Sequence, residues 1–211
     1  MSPIKANGYL EEAPIRVLML NYEYPPAGGG VGRATWHPCR ELSKLGVEVD
    51  AVVSRGLDIS RDILPCMRVF AVPTHRKSLH DTGAFAMLEY LWRAAPLARQ
   101  LLAERDHDIV HYFFSVPTGL LSFALDARKP YIVSLRGGDV PGFNPGVFES
   151  MHRLLAPVNR RILRGAAAVV ALSDSLGRCA SANLNAGNIE IVGNCADVER
   201  FGPSADRAAQ E

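Results

Sequence analysis

Short apolar runs alternate along the chain with segments whose apolar residues recur every three or four positions. Residues 15–20 (IRVLML) read as a buried strand, followed by a loop holding Pro25, Pro26 and three consecutive glycines. Val31, Thr35, Cys39 and Leu42 then recur at helical spacing, and Gly46 ends that helix. Pro38 inside the pattern implies a late start or a kink. Residues 47–53 predict a second strand, 67–72 a weaker one, and 84–104 a long helix bent at Pro96. Further strands are expected at 108–114, 131–135, 167–172 and 189–192, with helices over 117–127, 147–162 and 173–183, the last capped by Ser173 or Asp174. Strands separated by helices at this spacing predict βαβ units. The fold class is α/β, a doubly wound, mostly parallel Rossmann-like sheet with helices on both faces. Ligands bind such sheets at the carboxyl ends of the strands, so the loops after Leu20, Phe114, Leu135 and Leu172 should frame one cleft.

Composition narrows the class without naming a function. A chain of 211 residues, 48% hydrophobic, can bury a core, which excludes a disordered tail or a disulfide miniprotein. No repeat or Gly/Ser/Pro-rich linker divides the middle of the chain. A net charge of +1 gives no overall reason to expect nucleic acid as a partner. Cys39, Cys66, Cys179 and Cys195 form no CxxC pair, so zinc and thioredoxin-like centres are not expected. The polar, acid-containing segment 1–14 does not resemble a secretory signal, and no apolar run approaches the ~20 residues of a membrane span. The expectation is a soluble cytoplasmic protein.

Two loops carry candidate chemistry. The first, Tyr24-Pro-Pro-Ala-Gly-Gly-Gly-Val-Gly-Arg33, lies between the first strand and the first helix. Glycines let backbone N–H groups approach an anion, and a helix N-terminus adds partial positive charge, so a phosphate is the natural guest. The spacing matches neither GxGxxG nor a P-loop, and a turn needed only for tight packing is the alternative. The second loop is Ser134-Leu-Arg-Gly-Gly-Asp-Val-Pro-Gly-Phe143. There Arg136 offers a fork for phosphate or carboxylate, and Asp139 could accept from sugar hydroxyls; the alternative is an Arg–Asp pair that stiffens a turn. His111 either faces the cleft or is a bonded core histidine. Trp92 and Tyr90 read as core. Arg153, Arg160, Arg161 and Arg164 have no acid between Ser150 and Ser173. That stripe could meet anionic lipid or a phosphorylated acceptor, although a solvated basic face is the simpler reading.

Taken in order, these segments resemble the N-terminal half of the GT-B glycosyltransferases, in particular the family-4 (group 1) retaining enzymes. The resemblance rests on Tyr24-Pro-Pro with GGGVGR, Glu41-Leu-Ser-Lys-Leu-Gly-Val-Glu-Val49, Asp108-Ile-Val-His-Tyr-Phe113, the SLRGGDVPGF loop, Ala168-Val-Val-Ala-Leu-Ser173 and the segment 191–203. It implies transfer of a sugar from a nucleotide-sugar donor to an acceptor hydroxyl with retention, in the cleft between two Rossmann-like domains. Residues 15–203 would be the acceptor-side domain, and 204–211 a polar stub at the interdomain hinge where the C-terminal donor domain should begin.

The resemblance assigns Gly29, Gly30, Gly32 and Arg33 to the donor diphosphate. Tyr24, His111, Gly137 and Gly138 go to the acceptor and sugar cleft, Arg136 and Asp139 to catalysis, and Asn194 and Asp197 to the hinge. No cofactor and no metal are expected. Expected partners are the nucleotide sugar, a sugar or lipid-linked acceptor, and a C-terminal domain in cis or trans, with peripheral contact at the inner face of a membrane allowed and no nucleic acid. Arg136 stands where many relatives carry a histidine, and Gly193-Asn-Cys195 stands where Pro-Asn-Gly is more usual. A stand-alone nucleotide- or phosphate-binding protein and a non-catalytic glycan-binding module are the other functional classes compatible with the residues.

Overall fold

The computed structural model describes residues 13–26, 29–55, 65–76, 78, 83–125, 128–144 and 149–194. Its seven strands are β1 (Arg16–Asn21), β2 (Glu48–Arg55), β3 (Met67–Pro73), β4 (Ile109–Phe113), β5 (Tyr131–Ser134), β6 (Ala168–Ala171) and β7 (Ile189–Ile191). The helices are α1 (Gly29–Lys44), α2 (Gly83–Glu104), α3 (Glu149–Gly165) and α4 (Asp174–Leu184). All strands pair in parallel, in the order β3-β2-β1-β4-β5-β6-β7. The expected mostly parallel sheet is therefore wholly parallel among the described residues.

The apolar runs form strands because both faces of the central ones are buried. Leu18, Met19 and Leu20 of β1 have no exposed surface. From β1 the chain steps outward through β2 and β3, and after β3 it crosses back to β4 on the other side. Right-handed crossovers put helices of opposite steps on opposite faces. On one face α1 packs, with Cys39 Sγ 3.2 Å from Met19 Sδ. On the other lies α2, where Tyr90 donates to the Val52 carbonyl at 2.8 Å, and the connections after β4 share that side. The burial pattern agrees: Val133 and Val169 are buried, whereas Ile132, Ala168 and Val170, one residue out of phase, are only half-buried.

Three expectations change. The helix expected over 117–127 is a 3-10 turn, Thr118–Phe123. Gly119 N–H donates to the Phe114 carbonyl at 3.1 Å, and an added Cβ there would lie 2.9 Å from Ile162, so the segment is wound tightly against α3. Trp92 is not core but 74% exposed, whereas Tyr90 is fully buried. The first helix does not start late: it begins at Gly29 and continues through Pro38. Ser173 caps α4, accepting from Leu176 N–H at 3.3 Å. The 147 start of the third helix, Cys195, Asp197 and the stub 204–211 lie outside the described residues.

The amino ends of the central strands are tied by a charge network. Asp50, buried in β2, accepts both Arg68 Nε and Nη2 at 2.7 Å, approaches Arg105 Nη1 at 3.3 Å, and lies 2.9 Å from His107 Nε2. Glu48 bridges Arg16 at 3.1 Å and also pairs with Arg105. Burial alone would raise the Asp50 carboxyl; hydrogen bonds from Arg68 and His107, then the charges of Arg68 and Arg105, outweigh it and hold it well below the usual carboxylate range. A depressed folded-state pKa contributes stability that is present above the unfolded value near 4 and is lost as pH falls below it. Asp50→Asn is expected to lower unfolding free energy at neutral pH by about 2–3 kcal/mol, as for lost hydrogen bonds to charged groups. Urea titrations should show the gap to the parent narrowing as pH is taken below 4; a gap independent of pH would contradict the ionic role.

Candidate active site

The carboxyl ends of β1 and β4 are neighbours whose following connections leave to opposite faces, which opens a crevice between them. Asn21, the last residue of β1, is fully buried and builds one side of it. Its Nδ2 donates to Thr35 Oγ1 of α1, its Oδ1 accepts the Glu23 N–H at 3.1 Å, and Thr35 in turn donates to the Val31 carbonyl at 3.0 Å. This fixes the first turn of α1 against the end of the sheet.

Gly29, Gly30 and Gly32 of the first motif lie in that turn. Gly32 is buried and Gly30 exposed, and an added Cβ at Gly30 would meet nothing within 4 Å. One glycine of the motif thus packs, and another leaves bare backbone beside open space. No acidic residue occupies the first turn, so nothing there offsets the partial positive charge of the helix end. Arg33 is exposed on the same turn.

The opposite wall is held by Asp139. Its Oδ2 accepts the Ser115 N–H at 2.8 Å and the Ser115 hydroxyl at 3.1 Å; its Oδ1 accepts the N–H groups of Arg136 at 2.9 Å and Gly137 at 3.1 Å. Asn159 of α3 donates to the Asp139 carbonyl at 3.0 Å. Burial pushes this carboxyl above the usual carboxylate range, and the bonds from Ser115 and Arg136 offset that only in part. The direct sugar contact expected of Asp139 is not what its carboxylate makes here: the side chain is 3% exposed and staples the loop after β4 to the loop after β5. It stiffens the turn through backbone amides rather than through the Arg136 guanidinium. Gly137 has φ +92°, and a Cβ there would lie 2.9 Å from the Phe143 ring, so only glycine suits the turn. Gly138 is exposed beside it.

Arg136 extends from this turn over Phe113, its guanidinium carbon 4.4 Å from the ring centroid, and Nη1 donates to Asn194 Oδ1 at 2.9 Å. Phe113 stacks in turn on His111, with centroids 4.7 Å apart. His111 Nε2 lies 2.7 Å from Ser134 Oγ. Burial first, and then the Arg136 charge, pull the His111 pKa down to about 3. The structure therefore brings Arg136, His111 and Asn194 together. Tyr24 is 2% exposed and belongs to the core under the loop, so its side chain does not face the cleft.

Sequence reading missed Asn21, Ser115, Asn159 and Glu23. Glu23 sits in the loop after β1, where burial pushes its carboxyl up to about 7 against the pull of Arg76, and Oε2 has no hydrogen-bond partner among the described residues. Arg76 Nη1 donates to the Tyr22 carbonyl at 3.0 Å and to Ser54 Oγ at 2.9 Å, joining the loops after β1 and β3 to the end of β2. Adjacency of Glu23 to Tyr24-Pro-Pro was the one available signal. No group of three or more His, Cys, Asp or Glu residues able to hold a metal ion occurs among the described residues.

Two outcomes are expected from this geometry. Asp139→Asn puts an amide donor where four donors converge, and should cost about 1–3 kcal/mol while speeding hydrogen exchange at Ser115 and Gly137; unchanged exchange would mean that the two loops hold without the staple. His111 should stay neutral from pH 8 to pH 5 in ¹⁵N spectra of the imidazole, since its folded pKa lies far below that window; a titration near pH 6.5 would contradict the burial argument.

The comparisons with known proteins come to the same fold. The Glycosyl transferase 4-like domain model matches residues 29–195. A sucrose-phosphate synthase of Thermosynechococcus elongatus superposes over 93% of this chain and 52% of its own, with TM-score 0.72 and 16% identity. The catalytic domain of Arabidopsis thaliana starch synthase IV, solved with ADP and acarbose, does so over 92% of this chain and 54% of its own, with TM-score 0.62 and 14% identity. WaaG, a glycosyltransferase of lipopolysaccharide biosynthesis, gives TM-score 0.55 at 18% identity, covering 83% of this chain and 44% of its own. No curated protein sequence matches. The chain spans about half the length of these solved relatives, and its seven-stranded sheet is the one they share. It belongs to the glycosyl transferase 4-like domain family.

Proposed function

We propose that this chain is the N-terminal, acceptor-side half of a retaining glycosyltransferase, which moves a sugar from a nucleotide-sugar donor to an acceptor hydroxyl. The observation that carries this reading is the bare first turn of α1, opening at the topological switch point of a chain half as long as its relatives. The leaving group would be a nucleoside diphosphate, consistent with the ADP in the starch synthase structure. Charge developing on a departing diphosphate needs preorganised donors. In this reading the backbone at Gly29 and Gly30 and the end of the α1 dipole supply them, and Arg33, close in sequence, adds its charge.

Arg136 keeps its charge at all ordinary pH, so it stabilises an anion and does not shuttle a proton. Held by Phe113 and Asn194, its guanidinium is preorganised rather than free to swing. Asp139 is a positioning residue in this scheme: it orients the Arg136 and Gly137 amides. Asn194 links the loop to the segment that would lead into the second domain, with Asp197 beyond it, and closure of that domain would complete the donor site. Catalysis then depends on the downstream half, in cis or in trans.

The test compares this chain with a version extended by the sequence that follows it, assayed against UDP-, ADP- and GDP-sugars. Turnover is expected only from the extended protein, and robust transfer by the 211 residues alone would overturn the dependence. In the extended protein, Gly30→Val is expected to weaken donor binding by about tenfold or more, as for a few lost charge-assisted contacts, with thermal stability unchanged because the new side chain meets open space. Donor affinity that survives this change would move the diphosphate elsewhere.

A further inference from the structure

The outer face of α3 combines features that a merely solvated helix would not. Its inward side buries Asn159, Ile162 and Leu163, as an amphipathic helix on a sheet should. Outward it exposes Arg153, Arg160, Arg161 and Arg164, with Glu149 as the one acid on the helix and none in sequence from Ser150 to Ser173. Between these arginines protrude Leu154, 78% exposed, and Met151, 43% exposed, three residues apart on one side of the helix. Phe123 of the 3-10 turn, 51% exposed, lies beside the later part of the helix, with the Arg161 guanidinium 5.9 Å from its ring centroid.

Isolated exposed apolar residues are ordinary. Two on the exposed side of a helix that also exposes four arginines, with a third beside Arg161, are not, and neither the glycine turn nor the Arg136 loop uses them. Arg160 is pinned by the Asn183 carbonyl at 3.1 Å, which leaves the patch on a rigid helix rather than a loop. The charge fixes the occupant. Four arginines with one acid at the helix start suit a surface of dense negative charge, and protruding Leu, Met and Phe suit one whose charge overlies an apolar interior. A nucleic acid backbone satisfies the first requirement and not the second.

We propose that the outward face of α3, with Phe123 beside it, docks this chain on an anionic lipid surface. The arginines would lie at headgroup level with Leu154, Met151 and Phe123 inserted below. No helix among the described residues is long and apolar enough to cross a membrane, so the contact would be peripheral. Because α3 descends from the β5 loop, its apolar turns lie on the half nearer the carboxyl edge, and the docked cleft stands close to the headgroups. This inference is independent of the glycosyl-transfer reading.

The test is flotation of the 211-residue chain with vesicles of phosphatidylcholine alone and of phosphatidylcholine mixed with phosphatidylglycerol. Flotation is expected with the anionic vesicles only, and weaker at high salt. Arg153→Glu with Arg164→Glu should lower partitioning by about tenfold or more, from the contribution of each basic residue near an anionic surface. Leu154→Ser should lower it with charge unchanged, whereas Leu45→Ser, which alters an equally exposed leucine just past α1, should not. Circular dichroism and thermal unfolding would establish that each variant is folded. Absence of flotation with anionic vesicles overturns the proposal, as does equal behaviour of the two leucine variants. Binding of an RNA oligonucleotide or self-association in light scattering, without vesicle binding, would overturn it too and assign the face to those partners.

Discussion

Four hydrogen bonds onto one buried carboxylate hold this site in shape. Asp139 gathers two donors from Ser115, just past β4, and two from the turn after β5. They fix the backbone at Arg136, the base from which its guanidinium reaches Phe113 and Asn194, while Asn159 and the buried Val140 hold the loop further along. Burial of an ionised group is costly on its own, and the arrangement works because both oxygens are fully used by the chain's own amides and one hydroxyl. The cleft wall is thus an electrostatic construction inside an apolar sheet.

The sheet concentrates opposite demands at its two edges. At the amino ends, Asp50, Glu48, Arg16, Arg68, Arg105 and His107 neutralise one another and close the bottom of the fold. At the carboxyl ends the polar groups are deliberately less matched: the α1 terminus has no acid beside it and Glu23 retains an unpartnered oxygen among the described residues. A net charge of +1 conceals this division. Charge pairing is concentrated at one edge and the proposed ligand site lies at the other, where binding groups must be left unsatisfied by the protein itself.

Much of the architecture was legible because parallel strands buried on both faces leave continuous apolar runs such as IRVLML and YIVSL. What was not legible depended on partners distant in sequence. Nothing near Asp139 indicates that Ser115, 24 residues earlier, supplies half of its bonds. The 3-10 turn looked like an α-helix because Leu120, Leu121 and Phe123 fit either; the decision came from Gly119 meeting Ile162 of α3. Tyr90 and Trp92 are two positions apart on α2 and so point in different directions, and Tyr90 is the one whose hydroxyl finds an inward acceptor. The glycine motif was expected between the first strand and the first helix, whereas Gly29 to Arg33 begin α1 itself, and only the backbone distinguishes packed Gly32 from bare Gly30.

The central β1–β4 pair has a consequence for how the chain comes into being. Arg16 N–H donates to the Asp108 carboxylate and the Asp108 N–H to the Arg16 carbonyl, a closure across 92 residues at the middle of the sheet. During synthesis at about 5–20 residues per second, β1 is exposed on that side for roughly 5–20 s before β4 is made. Throughout that interval a strand whose Leu18, Met19 and Leu20 end up fully buried carries an open row of backbone donors and acceptors, the kind of edge that recruits foreign strands. The same topology that sets the crevice between β1 and β4 therefore leaves β1 an open edge until the middle of the chain has been made.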